Sequence, residues 1–173
     1  MAKKQPKPKP RSKATTKHKA TTVAVLPKNY AALLASLKER IRAAQLRAAI
    51  AVNHELVTLY WQVGKEILDR QGKGGWGSKV VEHLAKDLHK EFPGIGGFSR
   101  SNLLYMRLFA EAYPEAAIVQ QLVGQIPWGH NILLLTKLKK PAHRHWYAQA
   151  TIANGWSRAV LNAQVATHAH RRQ

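Results

Sequence analysis

Arg100, Arg107 and Glu111 align along one side of the stretch PGIGGFSRSNLLYMRLFAEAYP, residues 93–114, with Ser101 and Tyr105 flanking them. Guanidinium, hydroxyl and phenol groups spaced in this way on a helix suit contact with phosphates and base edges, because they offer donors on one exposed line. Arg107 has Glu111 four positions on as an ion-pair partner, whereas Arg100 has no acid three or four positions on. Arg100 is therefore the better candidate for a base or phosphate contact. Asn102 in the first turn, Lys79 in the preceding helix, and Trp128 with His130 at a later helix start complete the candidate nucleic-acid-binding set. His130 beside Trp128 could meet a phosphate or the neighbouring helix, and a packed, hydrogen-bonded histidine is the alternative.

Other chemistries find little support. The pairs His143 and His145, and His168 and His170, are spaced by two, which puts them on divergent faces of a helix. No nearby Asp or Cys completes a ligand set, so no metal site and no cofactor are expected. The nine acids read as helix-surface charges, with Glu66 and Arg70, and Glu82 and Lys86, four apart as ion pairs. That leaves no carboxylate cluster for two-metal hydrolysis. The Gly-rich loop QGKGGWG, residues 71–77, is followed by Ser78 and Lys79 in the wrong order for a phosphate-cradling loop and has no strand before it. With no Gly-x-Ser-x-Gly elbow and no cysteine, catalysis is not expected. The five tryptophans could stack on bases, or serve as core.

The elements that must position these groups follow from periodicity. Ser99 stands where its hydroxyl can accept from a free backbone N–H, so the helix begins there and Pro114 ends it, with Leu103, Met106, Phe109, Ala110 and Tyr113 on the packing side. Before it, Ser78 is expected to cap a helix to residue 92 whose buried stripe is Val80, Val81, Leu84, Ala85, Leu88 and Phe92. The two helices, joined through Gly94, Gly96 and Gly97, read as a helix-turn-helix unit.

From Asn29 to about Arg70, apolar residues at Tyr30, Leu34, Leu37, Ile41, Ala44, Ala48, Val52, Leu56, Leu59, Val63 and Ile67 recur every three or four positions. This predicts one long helix, breaking near Asn53 and His54 or projecting to pair with a second copy. After Pro114 come a short amphipathic segment, a helix opened by Pro127 with Ile132, Leu133, Leu135 and Leu138, and one started by Pro141 and stopped by Gly155. A last helix, capped by Ser157, is expected to run to the C-terminus with Val160, Leu161 and Val165 inward. The fold class is all-α, with six to seven helices.

Of the 28 Lys and Arg, eight precede residue 28, which leaves 20 facing all nine acids, a surplus of 11 in the rest of the chain. Residues 1–27 hold no acid and little to bury, so they read as a disordered basic arm, a sequence-blind phosphate binder or a solubilising tail. Residues 28–173 read as one helical domain. A polyanionic partner is implied, DNA before RNA. The absence of cysteine, of a secretory signal and of a membrane span fits a cytoplasmic protein.

Five motifs in order carry a resemblance: NHELVTLYWQVGK at 53–65, with Asn53, Glu55, Tyr60, Trp61 and Gly64; WGSKVVEHL at 76–84; GFSRSNLLYMRLF at 97–109; PWGH at 127–130; and GWSR at 155–158. Together they resemble the N-terminal domain of the YhcG-like family of bacterial proteins, a helical domain of unknown function, over about residues 29–165. The resemblance implies a DNA-binding module of the kind followed by a C-terminal nuclease domain of the PD-(D/E)XK type. This chain stops where that domain would begin, so the binding part is expected and the cleaving part is not. The long Lys- and Pro-rich arm departs from the family pattern and is expected to add nonspecific affinity. The alternative is a protein-interaction or dimerisation domain docking to a separately encoded nuclease or to a second copy. A nuclease remnant without retained activity is a third possibility.

Overall fold

A computed structural model describes residues 27–172 apart from residues 74 and 75. The basic arm lies outside the described residues. The chain divides into two units, Met1–Glu39 and Arg40–Gln173. Of the first unit the described part is the start of helix α1, Tyr30–Gly72, where Tyr30, Leu33, Leu34 and Leu37 are exposed.

The second unit holds the remainder of α1 and six further helices: α2 (Ser78–Glu91), α3 (Arg100–Ala112), α4 (Ala116–Gln121), α5 (Trp128–Lys137), α6 (Pro141–Asn154) and α7 (Arg158–Ala166). Short 3-10 turns stand at Val123–Gln125 and Ala169–Arg171, and the described residues contain no strand. The fold is all-α, as the periodicity requires.

α3 is the element whose sequence pattern and packing agree throughout. Ser99 accepts a hydrogen bond from the Asn102 amide at 3.3 Å, which satisfies one of the donors a helix start leaves free. Leu103, Met106, Phe109, Ala110 and Tyr113 are all buried. Ser157 caps α7 in the same way, through the Val160 amide, and Gly155 closes α6 in the left-handed region at φ 61°. α2 differs at its start. It begins at Ser78, with Gly77 at the capping position and no side-chain cap. Val81 and Ala85 are its buried positions, while Phe92, expected inside, is 43% exposed.

The 43-residue α1 is unbroken at Asn53 and His54. These residues tie it down instead. Asn53 Nδ2 donates to the carbonyls of Gly124 at 3.0 Å and Ile126 at 3.2 Å, and His54 Nε2 lies 3.3 Å from the Gln120 carbonyl. From α5, Asn131 donates to Val123 and Ile126, so two amide side chains satisfy backbone acceptors of the irregular 122–126 segment. The buried face of α1 is Val57, Tyr60, Gly64 and Ile67. Of the expected stripe, Ile67 is buried and Val63 packs beside it, whereas Ile41, Val52, Leu56 and Leu59 are exposed.

Two core clusters result. Val57, Phe109, Tyr113, Val119, Val123, Ile126, Leu134, Tyr147 and Leu161 form the larger, and Tyr60, Ile67, Val81, Ala85, Leu103 and Met106 the smaller. α3 contributes to both, which fixes its inner face and leaves its outer face set by the rest. Trp61, Trp128, Trp146 and Trp156 pack against the larger cluster, and Trp61 Nε1 donates to the Tyr113 carbonyl at 2.7 Å. α7 ends at Ala166, short of the expected C-terminal run, because His168 adopts φ 52° and turns the chain back.

Candidate nucleic-acid interface

The turn before α3 is built around Gly97, at φ 104°, where an added Cβ would overlap the Tyr60 hydroxyl. Tyr60 in turn meets Phe98 and Trp128 edge-on, with ring centroids 6.3 and 5.0 Å away. Residues 92–99 separate α2 from α3, more than the three or four residues of a helix-turn-helix turn. α2 and α3 nevertheless pack together, through Val81 and Ala85 against Leu103 and Met106.

The candidate residues separate into two groups. Asn102, Trp128 and His130 are engaged within the fold. Asn102 Nδ2 donates to the Gly97 carbonyl and its Oδ1 accepts from Trp128 Nε1 at 2.7 Å, which staples the turn to α5. His130 is buried, with Nε2 3.0 Å from the Trp156 carbonyl. Asn102 and Trp128 hold α3 in place, His130 ties α5 to the turn before α7, and the three offer few free donors.

Lys79, Arg100 and Ser101 are exposed and Tyr105 is half-buried. Arg100 makes no ion pair among the described residues, although its charge reaches Glu82 on α2. Arg107 is partly covered, its side chain 26% exposed, and pairs with Glu111 at 3.4 Å. The pair is covered on the arginine side and open on the other, the Glu111 side chain being 56% exposed.

Sequence reasoning missed two neighbours. Lys79, Glu82, His83 and Lys86 recur at spacings of three, four and seven on α2 and share one face. Lys86 bonds Glu82 at 2.9 Å, and this hydrogen bond and charge, with smaller contributions from Arg100 and His83, hold the Glu82 carboxyl below its ordinary range. The i+7 spacing from Lys79 to Lys86 was the signal. The surface across α2 and α3 thus presents Lys79, Lys86, Arg100 and Arg107 against Glu82 and Glu111. Among the described residues no group of three or more His, Asp or Glu could hold a metal, and no helix is long and apolar enough to cross a membrane.

Residues 36–172 match the family described as DUF1016 N-terminal domain. The chain is also similar to the Escherichia coli (strain K12) protein named "Putative nuclease YhcG", with 24% identity over 164 residues. That similarity covers 76% of this chain and 43% of the relative, so the chain spans less than half the length of the relative it matches. No solved structure matches the chain. The chain is therefore a member of the DUF1016 N-terminal domain family, the N-terminal domain of YhcG-like proteins.

Proposed function

We propose that this chain is a DNA-binding helical module of a nuclease-associated family, meeting the duplex with the cationic side of α2 and α3. The observation that carries the reading is Arg100 at the first turn of α3, exposed and without an ion pair among the described residues, its charge acting on Glu82, which Lys86 also bonds. Arg100, Arg107 and Lys79 contact phosphates or base edges, Ser101 and Tyr105 add hydroxyl donors, and Asn102 and Trp128 hold the helix from behind, with His130 anchored to Trp156. The basic arm of residues 1–27 follows the backbone without reading sequence. Binding, not cleavage, is the role proposed for this chain, and the name of the E. coli relative, "Putative nuclease YhcG", supports an association with a nuclease.

A second reading has one observation in its favour. Ile41, Leu46, Ile50, Val52, Leu56 and Leu59 are exposed along α1, and apolar positions of this kind suit docking to a second copy or to a separate nuclease.

Arg100→Ala combined with Arg107→Ala is expected to weaken binding to a mixed-sequence duplex by about thirtyfold or more, since two lost arginine contacts at roughly 1–3 kcal/mol each sum to about 2 kcal/mol or more. Removing residues 1–20 is expected to lower affinity evenly across sequences. Fluorescence anisotropy measures both. A double variant that binds like the parent would overturn the assignment of α3.

A further inference from the structure

From residue 116 onward the chain contains no Asp or Glu, while it carries seven Lys and Arg and five His. Two basic segments in this region, KLKKPAHRH at 137–145 and THAHRR at 167–172, are distant in sequence. The fold brings them together. His168, in the left-handed region, reverses the chain after α7, and the Ala169–Arg171 turn then returns to α6. His170 stacks on His143 with ring centroids 4.1 Å apart, and His168 lies 6.1 Å from His170.

One anchor fixes the cluster. The buried Tyr147 donates its hydroxyl proton to the Gln164 carbonyl at 3.1 Å, and its oxygen lies 3.0 Å from His170 Nδ1. A phenol has a single proton to give, so Nδ1 must be the donor in the second contact. The neutral ring therefore carries its hydrogen on Nδ1, and a further proton goes to Nε2, creating a cationic donor without disturbing the anchor.

The charged groups that His170 feels are His143 and Lys140 from α6, and Arg171 and His168 from its own turn. All are basic. Arg172 is turned away onto α7, where it bonds Gln164 and Thr167. Desolvation first, then His143, Arg171, His168 and Lys140, hold the His170 ring below the ordinary histidine range. With bases around it and no carboxylate among them, His170 resists protonation when alone and accepts it when an anion arrives.

We propose that this corner, formed by Lys140, His143, His168, His170 and Arg171, is a second contact for a backbone phosphate of nucleic acid, engaged with uptake of protons by its histidines. The inference rests on the reading of the chain as a DNA binder and adds a site remote in sequence from α3. The bound form holds more protons than the free form, so acidification through the histidine range tightens binding.

The test is anisotropy of the full chain with a random-sequence 20-base-pair duplex between pH 8 and pH 5.5 at fixed ionic strength. The parent is expected to bind about tenfold tighter at the acid end, equivalent to about one proton gained per pH unit over part of the range. His143→Gln, His168→Gln and His170→Gln together should flatten the profile. His145→Gln, outside the cluster, should keep it. His143→Gln with His168→Gln leaves the Tyr147–His170 anchor in place, and should reduce the slope even if the triple variant folds poorly. Calorimetry at pH 6.5 in two buffers of different ionisation enthalpy should find proton uptake by the parent and less by the double variant. Variants that keep the parent's slope and uptake would overturn the corner while leaving α3 as the DNA contact. Absence of duplex binding at every pH would overturn both.

Discussion

Replacing Gly64 with alanine is expected to destabilise the helical body by about 3 kcal/mol or more, at the upper end of overpacking effects. Gly64 lies on the buried face of α1, where the helix passes against α3, and an added Cβ would overlap the Met106 carbonyl. Backbone cannot rotate aside as a side chain can. α1 and α3 must therefore separate, and both clusters that α3 joins lose contact, Tyr60 and Ile67 with Met106 on one side and Val57 with Phe109 on the other. Alanine favours the helix by roughly 1 kcal/mol over glycine, which opposes the effect without cancelling it. For a chain of this size the loss corresponds to a fall in Tm of about 6–12 °C. Gly129→Ala in α5 is the matching control, since its Cβ would meet Arg158 at an ordinary 3.6 Å and should leave Tm unchanged or raised. Thermal unfolding followed by circular dichroism measures both, and a Gly64→Ala protein as stable as the parent would contradict the packing of α1 on α3.

Raising salt from about 50 to about 200 mM is expected to weaken duplex binding by about a thousandfold, the response of a protein that displaces counterions from six or more phosphates. The number is reasonable because Lys79, Lys86, Arg100 and Arg107 on α2 and α3 are joined by the eight cations of residues 1–27. An apolar docking surface such as the exposed side of α1 would respond little, because burying Ile50 or Leu56 displaces no counterion. Binding isotherms at four or five salt concentrations give the slope. A flat plot would favour docking through α1.

How much of this was legible in the sequence depends on how each element is specified. α3 was legible to the residue, because a capping serine, a clean 3.6-residue period and a terminal proline all point to the same helix. α1 was legible as a helix but not in its facing. Its alanines and leucines lie on every side, so periodicity alone does not choose between the stripe through Leu56 and Leu59 and the one through Val57 and Tyr60. Asn53 and His54 looked like a weak point because their acceptors, the carbonyls of residues 120–126, lie some 70 positions away. The bond between Asn102 and Trp128 was invisible for the same reason, whereas a packed, hydrogen-bonded His130 was one of the two readings its place beside Trp128 allowed. The histidine corner depends on a left-handed backbone at His168, a conformation uncommon for any residue but glycine even though histidine adopts it more often than most.

The most direct test of the account is an amide map of the full chain by 15N NMR as a mixed-sequence duplex is added. The account predicts shifts and broadening at Lys79, Lys86, Arg100, Ser101, Tyr105 and Arg107, while Val57 and Leu134 in the core stay unmoved. Changes confined to the exposed positions of α1 from Ile41 to Leu59, or none at saturating duplex, would contradict it.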